Sequence, residues 1–164
     1  MDGCSTDGNG EIFDVSPYLK LVIDKDGRWF QNGAEIVHPE IYRFFCRTLE
    51  KTADGEYIVR FGREVCRVEV EDAPFVIQSI DEEGGGIVVQ LNDGTREAFD
   101  AVHFWIGDEN IPYCRVKEGA FHARFSRPAY YQLASHIVSD NEETGFFLLV
   151  NGEKIPIKYW DPPA

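Results

Sequence analysis

Two stretches of the chain are punctuated in the same way at an offset of roughly 90 residues. Lys25-Asp26-Gly27 is a tight-turn signal between short apolar runs, and Lys117-Glu118-Gly119 is its counterpart, with Phe121 standing where Trp29 stands. Each hairpin is followed by a proline suited to the first position of a helix, Pro39 and then Pro128. Tyr42 and Leu49 are answered by Tyr131 and Val138 on the second helix. Gly55 with EYIVRFGREVCRV is answered by Gly145 with FFLLVNGEKIPI, which sets Gly152 on Gly62 and Ile155 on Val65. Such an order predicts an α+β fold built from a hairpin, a helix and further strands, used twice, with the two halves packed against each other.

In the first half, LKLVID, Arg28-Trp29-Phe30 and Ala34 to Val37 read as strands around the turns at Lys25-Asp26-Gly27 and Asn32-Gly33. Ile41, Phe44, Phe45 and Leu49 recur at helical spacing, which predicts an amphipathic helix from His38 to about Lys51, stopped by Asp54-Gly55. Tyr57 to Phe61 and Val65 to Val70 follow as strands. Between the halves, Phe75 to Ile80, Ile87 to Leu91, Thr95 to Phe99 and His103 to Ile106 read as a β-meander. The junction is VEDAPF, where Pro74 cannot donate to a ladder and Asp72 suits a turn. The expected parts are a flexible acidic tail over 1–16, an N-terminal α+β subdomain over 17–79 and a C-terminal one over 80–164.

Charge limits the partners. The 164 residues carry a formal charge of −13, which disfavours extended, sequence-independent binding to DNA or RNA. Lys and Arg gather between Arg43 and Arg67, whereas Glu69 to Asp100 holds nine acids against the single Arg96, a polarity suited to a small anionic ligand. Cys4, Cys46, Cys66 and Cys114 form no C-x-x-C pair and are expected as reduced thiols. With neither a leader-like N-terminus nor an apolar run of membrane-spanning length, the expectation is a cytoplasmic protein.

Local signatures of catalysis are missing. His38, His103, His122 and His136 are too dispersed for a metal motif, and there is no G-x-S-x-G elbow. The glycines of EEGGG follow three acids and lead into a strand, so they read as a hairpin turn rather than a phosphate loop. Glu71 and Asp72 are adjacent in an extended stretch and point to opposite faces, which favours structural acids over a catalytic pair. Arg28 beside Trp29, and Arg127 beside Tyr130 and Tyr131, set guanidinium forks next to aromatic faces, the combination that holds anionic ligands.

DGRWF with its following Asn-Gly turn, VEDAPF, and the helix opening RPAYYQL together resemble, in order and spacing, the DUF1285 family, a bacterial domain of unknown function. The resemblance runs from about Tyr18 to Ile157, and departs from the family at Gly62 and Val65, where Pro and Lys are usual. It implies a duplicated α+β architecture whose second half is similar to pleckstrin-homology-like folds, with a ligand site between the halves and a role in signal transduction. The expected function is therefore a non-enzymatic regulatory or sensor domain for a small anionic, nucleotide-based ligand, without cofactor or metal. Arg28, Trp29, Arg67, Glu71, Asp72, Arg127, Tyr130 and Tyr131 are the expected ligand contacts. The alternative is a protein-protein interaction module docking a partner on an edge such as Thr95 to Phe99 or on the acidic meander. An enzyme using Glu71 and Asp72 comes third.

Overall fold

Positive φ angles at Gly27 (81°), Asn32 (49°) and Gly33 (88°) fold the first stretch back on itself twice, as its turn residues predict. The computed structural model describes residues 11–139 and 145–159. It divides the chain into two units, Met1–Asp72 and Ala73–Ala164.

The first unit contains β1 (Phe13–Asp14), β2 (Leu21–Ile23), β3 (Trp29–Gln31), β4 (Ala34–Glu35), α1 (Pro39–Thr48), β5 (Glu50–Lys51), β6 (Tyr57–Phe61) and β7 (Glu64–Val70). The sheet order is β4-β3-β2-β7-β6-β5, with β1 also on β7. β2 and β7 run parallel with Leu21 opposite Val68, and α1 lies on the long connection that parallel neighbours require. The helix starts as its sequence indicates, with the His38 side chain accepting from the Glu40 N–H and Pro39 in the first turn. Its core face carries Phe45, which stacks on Trp29 at 5.3 Å between centroids and 18° between planes. Leu21, Ile23, Val59 and Cys66 complete a core in which Trp29 has no exposed surface.

Part of the stretch expected as a tail over 1–16, Phe13–Asp14, takes part in this sheet. Phe13 and Asp14 pair in parallel with Glu64 and Val65, and the Ser16 hydroxyl accepts from the Arg67 N–H at 2.9 Å. Residues 1–10 of that expectation lie outside the described residues.

In the second unit, β8 (Phe75–Glu83), β9 (Gly86–Leu91) and β10 (Arg96–Ala98) form a meander, whereas β11 (Phe104–Ile106), expected as its fourth strand, does not pair with β10. They are followed by β12 (Pro112–Val116), β13 (Phe121–Phe125), α2 (Arg127–Ala134), β14 (Ile137–Ser139), β15 (Phe146–Val150), β16 (Glu153–Pro156) and β17 (Lys158–Tyr159). One sheet has the order β10-β9-β8-β13-β12-β11-β17 and another the order β14-β15-β16. The boundary expected between 79 and 80 falls inside β8, an unbroken strand, and the division lies instead between Asp72 and Ala73. Val138, expected on the second helix, belongs to β14, because α2 ends at Ala134.

The larger sheet curls. β10 and β12 are four ladder steps apart, close to 20 Å in a flat sheet, yet the Lys117 N–H donates to Glu97 at 2.9 Å. Phe99, Phe104 and Phe125 meet edge to face in this unit's core, with centroids 5.6 to 5.9 Å apart.

The order hairpin, helix, strands does recur, but the pairing differs. β2 has β3 and β7 as neighbours, whereas β12 has β13 and β11, and β13 takes the meander strand β8 on its other side. β8 and β11 thus occupy both edges of the second hairpin, so β14, β15 and β16 form their own sheet. The architecture is mixed α+β, mostly strand, with two helices among the described residues.

Candidate functional site: a mixed-charge cleft in the C-terminal unit

The turn between β12 and β13 is costly. Lys117 and Glu118 have φ of 57° and 58°, left-handed values that the familiar Asn-Gly pair adopts readily and these residues do not. Acids hold it in place. Glu97 accepts from the Lys117 N–H, and the Lys117 ammonium reaches Asp93 at 2.7 Å and the Thr95 hydroxyl at 3.0 Å. Asp93 is buried, which pushes its carboxyl up, but donation from Lys117 and Thr95 outweighs burial and leaves it below its ordinary value.

This turn forms one wall of a cleft of about 640 Å³, whose other walls include Asp100, His103 and Arg115. Asp100 Oδ2 lies 2.8 Å from His103 Nδ1, so the carboxylate orients the ring with Nε2 as its remaining polar atom. Arg115, half-buried on β12, holds its guanidinium 5.9 Å from the centroid of Trp105. No described carboxylate pairs with it. Trp105 in turn stacks on Tyr113 at 5.5 Å, so a rigid aromatic bed supports this arginine. The arrangement offers an anion a planar, uncommitted fork beside an oriented imidazole.

A second cleft, about 610 Å³, lies in the N-terminal unit where β7 loses its neighbour between β1 and β2. Lys20 and Arg67 line it, but each already faces an acid, Glu69 at 4.0 Å and Asp14 at 3.7 Å. Both pairs are exposed and weak.

Of the residues expected from sequence, Arg67 alone lines either cleft. Trp29 is corrected to a core residue: fully covered and stacked on Phe45, it has no face to offer a ligand. Arg28 is bound to Asp24 at 2.8 Å, an ion pair that holds the turn between β2 and β3. Glu71 accepts from the Lys25 N–H at 3.2 Å, the backbone-anchoring role expected of an acid at this junction. Asp72 is half-buried at the end of the first unit. Arg127 and Tyr131 are exposed on α2, and burial pushes the half-buried Tyr130 phenol up. Sequence reasoning passed over Asp100, His103, Arg115 and Glu118. The available signals were the Asp-x-x-His spacing, the shared face of Tyr113 and Arg115, and a turn with charged residues where Asn-Gly is the rule.

The fold and cleft define a β-rich α+β protein of two units with a small polar site in the second. Residues 14–73 match the sequence model of the DUF1285 N-terminal domain, a domain of unknown function. Two solved structures share the fold: a DUF1285 family protein from Silicibacter pomeroyi DSS-3 and one from Shewanella baltica OS155. The first is 23% identical with a TM-score of 0.69, covering 92% of this chain and 81% of that one. The second is 23% identical with a TM-score of 0.62, covering 73% of this chain and 94% of that one. No curated protein matches the sequence. The resemblance to DUF1285 read from DGRWF, VEDAPF and RPAYYQL agrees with the family model matched over residues 14–73 and with the family of both structural neighbours.

Proposed function

We propose that the protein is a non-enzymatic sensor whose C-terminal unit holds a small anionic ligand in the cleft beside Arg115, as part of a signalling response. The observation that carries this reading is the Arg115 guanidinium, seated on Trp105 at the cleft wall with no described carboxylate beside it. An uncommitted, oriented guanidinium in a concave site is a receptor for carboxylate or phosphate. The curled sheet followed by α2 supports the pleckstrin-homology-like reading of this unit, and the repeated element order supports its origin by duplication. Cys46, Cys66 and Cys114, buried and outside any disulfide, fit a reducing, cytoplasmic setting.

The test is thermal denaturation and tryptophan fluorescence against a panel of nucleotides, inorganic phosphate and small carboxylates. A ligand at a hundredfold excess over its Kd adds about 2.7 kcal/mol of stability. Arg115→Gln is expected to weaken that ligand by at least about tenfold, the loss of one charge-assisted pair. A flat panel at millimolar concentration, or a variant that binds as well as the parent chain, would overturn the reading.

The interaction-module reading rests on β10, which ends its sheet with one unpaired side. That edge is three residues long, and Arg96 ties it to Asp81 and Glu83 on β8, features that discourage strand addition. The ligand reading is favoured for that reason.

A further inference from the structure

The charges around Arg115 restrict which anion the cleft accepts, and this inference rests on the ligand reading above. Lys117 is committed to the buried Asp93, and the exposed His103 to Asp100. Glu97 accepts the Lys117 N–H and faces no cation within ion-pair distance among the described residues. Glu118 lines the same cleft, is exposed, and has no hydrogen-bond or ion-pair partner among the described residues. Among the described residues, the cleft charges left without a hydrogen-bond or ion-pair partner are therefore one cation, Arg115, and one anion, Glu118, with Glu97 adding further negative field. A polyphosphate would set several negative charges against Glu97, Asp100 and Glu118, and like charges in a shared site repel strongly. A ligand with one negative group and one ammonium group matches both free charges.

Backbone geometry points the same way. A glycine would relieve the left-handed strain at Glu118, yet the chain places a carboxylate there, at the cleft wall. We propose that the cleft is selective for small zwitterions of the amino-acid or short-peptide class, with Arg115 receiving the carboxylate and Glu118 the ammonium group.

The experiment is calorimetric titration and thermal shift of the full chain with L-amino acids and dipeptides, the N-acetyl form of each, inorganic phosphate and ATP. The expected result is binding by at least one free-amine probe, and at least about tenfold weaker binding by its N-acetyl form. In Glu118→Gly that ratio is expected to collapse towards one while the melting temperature stays level or rises, a combination that damage to the fold would not produce. If N-acetylated probes, phosphate or ATP bind as tightly as the free amines and Arg115→Gln still weakens them, zwitterion selectivity is overturned and the anion site stands. If no probe binds, or Arg115→Gln changes nothing, both readings are overturned.

Discussion

Gly107 shows how one residue without a side chain supports the aromatic bed of the cleft. A Cβ built there would lie 2.9 Å from Tyr113 Cε2, and Tyr113 is the ring stacked on Trp105, over which Arg115 sits. Tyr113 is buried, so the ring has little room to withdraw. Gly107→Ala is expected to cost about 1–3 kcal/mol, the usual penalty of overpacking, and to change the near-ultraviolet circular dichroism of the Trp105 and Tyr113 pair. An unchanged spectrum and melting temperature would show that the loop absorbs the methyl group. At this scale the sequence alone is silent, because Gly107 sits in an ordinary Ile-Gly-Asp stretch and its constraint comes from a ring on the next strand.

At the scale of elements, the β12–β13 turn is held by side chains from the β9–β10 region. Asp93 has 4% of its side chain exposed and Lys117 has 28%, so the pair is shielded on one partner only. Removing the ammonium with Lys117→Met would leave the covered carboxylate uncompensated. The expected loss at neutral pH is about 1–3 kcal/mol, below the figure for a fully buried pair because Lys117 is partly solvated. The pH dependence has a definite sign. Asp93 is held below its ordinary value, so it contributes stability above pH 4 or so that is lost as pH falls through its folded pKa. In Lys117→Met burial acts with less opposition, and the carboxyl moves up. The gap between the two proteins is therefore expected to narrow on acidification, checked by urea denaturation at pH 7 and pH 4. A constant gap would mean that Asp93 and Lys117 do not interact.

For the whole molecule, charge is the dominant feature. Twenty-nine acids face sixteen Lys and Arg, and surface pairs such as Arg60 with Glu50 at 3.1 Å and Arg96 with Asp81 at 3.0 Å are exposed. Such pairs contribute little each, whereas self-repulsion of a net −13 grows as screening falls. Raising salt from about 0.01 to about 0.1 M shortens the screening length from about 30 to about 10 Å. The melting temperature is expected to rise by a few degrees over that range, followed by circular dichroism. A fall would show that local ion pairs outweigh net repulsion.

Composition, turn residues and hydrophobic period determined most of the elements: the Asn32-Gly33 turn, the Pro39 helix start, the paired strands after Gly55 and Gly145, and the meander after Pro74. These are local effects of backbone preference and side-chain period, which neighbouring residues settle by themselves. Trp29 was misassigned to a ligand because an Arg-Trp pair looks the same in sequence whether the ring faces a cleft or Phe45. The place of Phe13 and Asp14 beside β7, the parallel pairing of the second hairpin with β8 rather than with a strand that follows its helix, and the meeting of Asp100, His103, Arg115 and Glu118 were decided by tertiary structure. Strand pairing and sheet curl join residues far apart in the chain. Which edge is already occupied, and which charge is already neutralised, are properties of the folded neighbourhood that no local run of residues encodes.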